Sequence, residues 1–345
     1  MARKKSASKA KPARQNPTEV VEEQVEEVVK TKKEKKEATK KVIITVFSII
    51  IAISMMLPMV GTIVQSKRQE RMKDPSKVTM TDIDGEFTGR ITQLESEAKK
   101  TPDDAFLQVQ IGQTYTQWAQ SVVWFSKGED ISKHTDDLYT KATDAYNKAL
   151  EIDGSNQAAA QGIVGCYAAW GQSKAGVSLD EAGKLYQKAI DICDKRAKAD
   201  ATGRYDLSAG QIYSQWAISC NLNKAEDKAK ELNESAMKCF DKAIAADENN
   251  VDAYIAKCNL ISDTDSVDAA IEEFKPVVEK HADNTNALIY MGGLYQRAEN
   301  SEKALEYFEK VEKADPDNLQ GNNSMAKNYI DAIKNPVKAE SKDSE

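Results

Sequence analysis

Two histidines, five cysteines and one acidic turn are the residues whose type and spacing could support metal binding or nucleophilic chemistry. Zinc asks for nitrogen and sulfur ligands in close pairs. Here Cys166, Cys193, Cys220, Cys239 and Cys258 follow one another at intervals of 27, 27, 19 and 19, which matches neither a metal motif nor an even-numbered disulfide framework. His134 falls in a polar stretch and His281 at the end of a helical pattern, and both read as exposed side chains without a chemical task. Asp82-Ile-Asp84-Gly-Glu86 has acids and a glycine, but it lacks the third acid and the distant glutamate of a calcium loop, so Asp84 reads as a helix cap. The chain contains no glycine-rich phosphate loop, HExxH or GxSxG. These residues predict no enzyme, no cofactor and no metal, and they turn attention to the surfaces that the chain can build.

Those surfaces belong to three unlike segments. The 345 residues carry a net charge of -7, yet residues 1–41 hold 13 Lys/Arg against 7 Asp/Glu, residues 42–64 hold no ionisable side chain, and the remainder holds 35 against 48. The body is too acidic for a partner held by phosphate neutralisation, and the basic tail lacks interleaved aromatics, so no nucleic acid is expected. Mixed-charge, low-complexity sequence buries too little apolar surface to offset chain entropy, which predicts a disordered tail over 1–41.

The uncharged run extends from Val42 to Val64. A helix crosses a hydrocarbon core of roughly 30 Å in about 20 residues, so the run is long enough to span as a single transmembrane helix. It exceeds a cleavable apolar region, and no small-x-small site follows, which predicts an uncleaved signal anchor. Seven lysines precede it (Lys30, Lys32, Lys33, Lys35, Lys36, Lys40, Lys41) and five basic residues follow (Lys67, Arg68, Arg71, Lys73, Lys77). The excess places the tail in the cytoplasm and the body outside. Free cysteines in an oxidising exterior count against that orientation. Residues 65–82 lack periodicity and read as a linker.

The body repeats. In the unit from Thr285 to Asn318, Leu288, Met291, Gly292, Tyr295, Ala304, Phe308, Val311 and Pro316 fall at unit positions 4, 7, 8, 11, 20, 24, 27 and 32. Apolar residues at 4, 7 and 11 make one stripe of a first helix, small residues at 8 and 20 let two helices approach, and 24 and 27 complete a second helix. On these eight positions the chain resembles the tetratricopeptide repeat family, and with the anchor it resembles membrane-anchored bacterial members. A second unit of the same length runs from Val251 to Asn284. Tyr115, Tyr167 and Tyr213 open three more hairpins, whose second helices carry Ala142, Tyr146 and Ala149; Ala182, Tyr186 and Ala189; and Ala236, Phe240 and Ala243. Between Tyr and Ala these units exceed the regular spacing, by most in the first and by least in the second. The helical period continues through Ile111, Tyr115, Trp118, Val122 and Phe125, which predicts helices longer by one to three turns.

The expected fold is an all-α helical-hairpin solenoid over 83–335: hairpins at about 103–156, 157–196, 203–250, 251–284 and 285–318, a capping helix at 319–334 with Met325 and Tyr329 facing inward, and a disordered tail at 336–345. The resemblance implies protein or peptide partners captured in a groove lined by first-helix positions 2, 5, 9, 12 and 13. The candidates there are Gln113, Gln117, Gln211, Gln215, Asn259, Asn286, Gln296 and Arg297. The family's two-carboxylate clamp is absent, since Val109, Gln113, Gln161 and Gly165 occupy its positions. Trp118, Trp170 and Trp216, all at position 14, read as core packing. Val122, Val123, Trp124 and Phe125 form a candidate edge patch for self-association into a homo-oligomer. A membrane-anchored scaffold or adaptor, concerned with envelope assembly or exported proteins, is the expectation; a self-associating structural protein and a cytoplasm-facing receptor are its rivals.

Overall fold

The computed structural model describes residues 78–126, 130–319 and 321–335. The chain divides into two compact units, the second of which begins at Thr79. All twelve described helices lie in it: α1 (Met80–Lys100), α2 (Ala105–Phe125), α3 (Ser132–Ile152), α4 (Gln157–Ala175), α5 (Leu179–Ala197), α6 (Arg204–Leu222), α7 (Glu226–Ala246), α8 (Val251–Thr264), α9 (Val267–Lys280), α10 (Thr285–Arg297), α11 (Ser301–Ala314) and α12 (Asn322–Lys334). No strand occurs among the described residues. The helices from α2 to α11 pair as five hairpins, each first helix (A) packing on its own second helix (B) and also on the A helix of the next hairpin. The tail at 1–41, the apolar run Val42–Val64 and the residues after 335 lie outside the described part. Among the described residues no helix is long and apolar enough to cross a membrane.

Close approach of the paired helices has a residue-level cause. The aromatic ring at position 24 of helix B lies against position 8 of helix A, which leaves no room for a side chain there. A β-carbon built on Gly112 would sit 2.8 Å from Tyr146, one on Gly210 2.5 Å from Phe240, and one on Gly292 2.6 Å from Phe308. The rings are buried, and so are the alanines at position 20 beside them.

Helix ends are set by short polar side chains. Asn156, Asn250 and Asn284 cap α4, α8 and α10 by accepting from the amides of Ala159, Ala253 and Ala287 at 2.9, 3.1 and 3.0 Å. Ser178, Ser266 and Asn300 do the same for the B helices α5, α9 and α11. The first three hairpins are long, with helices of 19 to 21 residues, while those of the last two have 13 or 14. The extra residues sit at the A–B turns, as the continued periodicity predicts.

Two boundaries differ from expectation. Helix α1 starts at Met80 and takes residues assigned to the linker, because Thr79 and Asp82 form a reciprocal capping box in which Asp82 Oδ2 accepts from the Thr79 amide at 3.1 Å. Asp84 therefore lies inside the helix and is not its cap. In α12 the buried residues are Asn323, Ala326 and Ile330, while Met325 and Tyr329 are exposed, although the Tyr329 ring keeps one face on Phe308 at 4.9 Å. In the hairpin of α10 and α11 the equivalent residues, Met291 and Tyr295, are buried. Helix B covers them there, and α12 is an A helix without one among the described residues.

Candidate functional site

Three A helices, α4, α6 and α8, line the face that could receive a ligand. Between α6, α7 and α8 lies a cleft of about 610 Å³, walled by Gln211, Ser214, Gln215, Ile218 and Asn221 from α6, Asn233 and Phe240 from α7, and Asp252, Ile255, Asn259 and Asp263 from α8. A smaller cleft of about 270 Å³ adjoins it, between Gln161, Val164, Gly165 and Ala168 of α4 and Tyr205, Ser208 and Ile212 of α6. Gln211 and Gln215 border both clefts, so their amides sit on a shared ridge. Apolar floor with sparse polar walls, at this volume, is the composition of a ligand cleft.

Of the eight groove candidates, Gln211, Gln215 and Asn259 come together here. Gln113 and Gln117 are exposed on α2 and line neither cleft. Asn286 is taken by the cap, its Oδ1 accepting from Asn322 Nδ2 at 2.9 Å. Arg297 is turned to Asp263 at 3.4 Å, while Gln296 stays exposed on α10. Asn259 Oδ1 accepts from the Tyr290 hydroxyl at 3.0 Å, which fixes the orientation of the amide. Asp252 and the half-buried Ser214, whose Oγ has no hydrogen-bond partner, also belong to the cleft and stand where the repeat pattern places groove residues. Asp263 and Asn233 lie outside that pattern. Asn233 in particular had no local signal, because it comes from the lengthened helix B of a neighbouring hairpin.

The edge patch is divided by the helical period. Val122 is fully buried and cannot belong to an exposed patch, because it continues the stripe of Tyr115 and Ala119. Val123 and Trp124 are exposed and Phe125 is half-buried.

Behind this edge the tryptophans stitch successive hairpins together. Trp118 stacks on Phe87 of the preceding helix at 5.8 Å and donates from Nε1 to Asp84 at 2.8 Å; Trp170 stacks on Tyr139 at 5.7 Å and donates to Asp136 at 2.7 Å. Both aspartates precede their tryptophans by one repeat length, and each takes a second partner, His134 Nε2 at 2.9 Å and Lys174 Nζ at 2.7 Å. His134 is thus half-buried and engaged, against the expectation of an idle exposed ring. Likewise His281 is half-buried, with Nε2 enclosed. Trp216 stacks on Tyr186 at 5.9 Å, so all three indoles at position 14 pack between hairpins.

All five cysteines are free and buried. Burial pushes the thiols of Cys166, Cys193 and Cys258 up to about 12 and that of Cys239 up to about 11, which suppresses the thiolate that a nucleophile or metal ligand would need. Among the described residues no three His, Cys, Asp or Glu side chains gather as a metal site.

No curated protein matches the chain. Solved structures with similar helical arrays include YrrB, described as a TPR protein with an unusual peptide-binding site (19% identity, 67% of this chain and 97% of that one, TM-score 0.28). Others are TTC0263 from Thermus thermophilus (11%, 64% and 98%, TM-score 0.39) and BtubC (BKLC) from P. vanneervenii (14%, 78% and 97%, TM-score 0.42). The tetratricopeptide repeat model matches residues 287–318, the hairpin of α10 and α11, and the chain therefore carries a tetratricopeptide repeat there.

Proposed function

We propose that the protein is a membrane-anchored scaffold that holds a segment of a partner protein in the cleft between α6 and α8. The observation that carries this reading is the cleft itself: an apolar floor of Leu207, Ile255 and Ala256 bordered by Gln211, Gln215, Asn221 and Asn259. Side-chain amides both donate and accept, which suits an extended peptide whose backbone offers both in alternation. The apolar run Val42–Val64 supports the anchor, and the lysine excess before it supports a cytoplasmic tail with the hairpins outside, where envelope or exported proteins would be the partners.

Substituting Gln211, Gln215 and Asn259 together by alanine is expected to weaken partner recovery from cross-linked cells at least tenfold while the helical signal is retained. Unchanged partners would remove the cleft from consideration. Protease added to intact cells checks the orientation: digestion of the hairpins supports an outside body, and their survival places them in the cytoplasm.

A further inference from the structure

The two edges of the hairpin array differ in chemistry. At the B–A turns every connection carries acid: Asp103 and Asp104, Asp153, Asp200, Asp247 and Glu248, Asp283, and Asp315 with Asp317. Phe106 and Leu319 are exposed on that side, but each sits beside two of these acids. At the A–B turns the three long hairpins end in large apolar side chains. Trp124 is 82% exposed, Val177 76% and Leu222 80%. The two regular hairpins turn instead through Asp265-Ser266 and Glu299-Asn300. At this edge the apolar tips are therefore confined to the hairpins that project.

These tips form one continuous edge. All A helices run in the same direction, because each helix is antiparallel to the next, so their C-terminal ends share a side. Cross-hairpin bonds lie along it: Trp118 and His134 meet at Asp84, Trp170 and Lys174 meet at Asp136, and Asn223 Nδ2 donates to the Ala175 carbonyl at 3.0 Å. The chain also enters the array on this side, since Asp84 lies in the opening turns of α1 and bonds to Trp118 in the second half of α2. Only fourteen residues separate Thr79 from Val64, the last residue of the apolar run. Even fully extended, that tether reaches about 50 Å.

We propose that this A–B edge rests on the bilayer, with Trp124, Val177 and Leu222 dipping into the headgroup region. The occupant is a lipid surface; the proposal rests on the membrane-anchored reading above. A short tether leaving from this edge keeps it nearer to the bilayer than the opposite edge, which is a helix length of about 30 Å away. Indole prefers the interface between water and hydrocarbon, where its apolar body and N–H are both accommodated. The acidic B–A turns are then held away from anionic headgroups, and the ligand cleft between α6 and α8 opens sideways along the membrane.

The test uses the full chain reconstituted in phosphatidylcholine vesicles, with part of the lipid brominated on its acyl chains to quench nearby indoles. Vesicles are floated first; protein left at the bottom refutes the anchor and this proposal with it. In floated vesicles, brominated lipid is expected to remove a part of the tryptophan emission, and Trp124→Phe is expected to abolish that part, since Trp118, Trp170 and Trp216 pack between helices. Trp124 is exposed, so the exchange leaves the fold intact by circular dichroism. Floated protein whose quenching is absent, or is the same in Trp124→Phe, overturns the edge contact while leaving the anchor standing. Emission insensitive to brominated lipid but dependent on protein density would assign the edge to a second copy of the chain and also overturn the proposal.

Discussion

Gly292 has room for a hydrogen atom and little else. A β-carbon there would lie 2.6 Å from the ring of Phe308, which is fully buried. Gly292→Ala is therefore expected to cost about 1–3 kcal/mol, the usual range for overpacking, measured as a lower urea midpoint with an unchanged slope. At Gly293 an added β-carbon meets nothing, so Gly293→Ala, in mid-helix, should be neutral or slightly stabilising and serves as the control. This pairing of position 8 with position 24 was legible in the sequence, because both residues recur at fixed spacing. What Asp84 does was not legible. Its partners Trp118 and His134 stand 34 and 50 residues away, and no local pattern distinguishes a cap from a carboxylate that bridges two helices.

Among the elements, the stitch at the head of α3 has the clearest energetic consequence. Asp136 accepts from Trp170 Nε1 and from Lys174 Nζ, and the lysine is buried. Removing the carboxylate strands a buried ammonium and an indole N–H together. Asp136→Ala is expected to destabilise by about 2–4 kcal/mol, whereas Lys184→Ala, which breaks the exposed Lys184–Asp180 pair within α5, should change stability by less than about 0.5 kcal/mol. Thermal melts of the two variants side by side check the contrast. Helix existence and the lengthening of the first three hairpins followed from periodicity. The facing of α12 did not, because periodicity reports a stripe without saying which neighbour covers it. Met325 and Tyr329 sit at positions that need a helix B, and the stripe that packs on α10 and α11 is Asn323, Ala326 and Ile330. For the same reason the edge residues divided: Val122 continued the stripe inward and Trp124 did not.

At the scale of the whole array, burial of so many thiols and phenols sets an alkaline limit. The thiols of Cys166, Cys193 and Cys258 are raised from an ordinary value of 9.0 to about 12, and burial also raises the phenols of Tyr139, Tyr115 and Tyr290. Native protein thus keeps protons that the unfolded chain has already lost. Stability should be unaffected by these groups below about pH 9 and fall steadily as pH rises from there toward 12. Denaturation midpoints collected across that interval check it, and a midpoint that holds constant to about pH 11 would contradict the burial described. Cleft residues were partly foreseeable, since Gln211, Gln215 and Asn259 follow from helix-A positions. That they meet between the third and fourth hairpins, and that Asn233 joins them, depends on where long hairpins abut short ones.

The unequal ends of the array have a mechanical meaning. Hairpins that touch only their neighbours open from an end inward, and the end with the weaker local grip opens first. Helix α1 is 21 residues long and fastened by the Thr79–Asp82 capping box; α12 is 13 residues long, begins at Gly321 without a side-chain cap, and lacks a helix B among the described residues. A pull on the array would therefore peel it like a zip from the C-terminal side, so that a load borne through the N-terminal tether would meet the end made to hold.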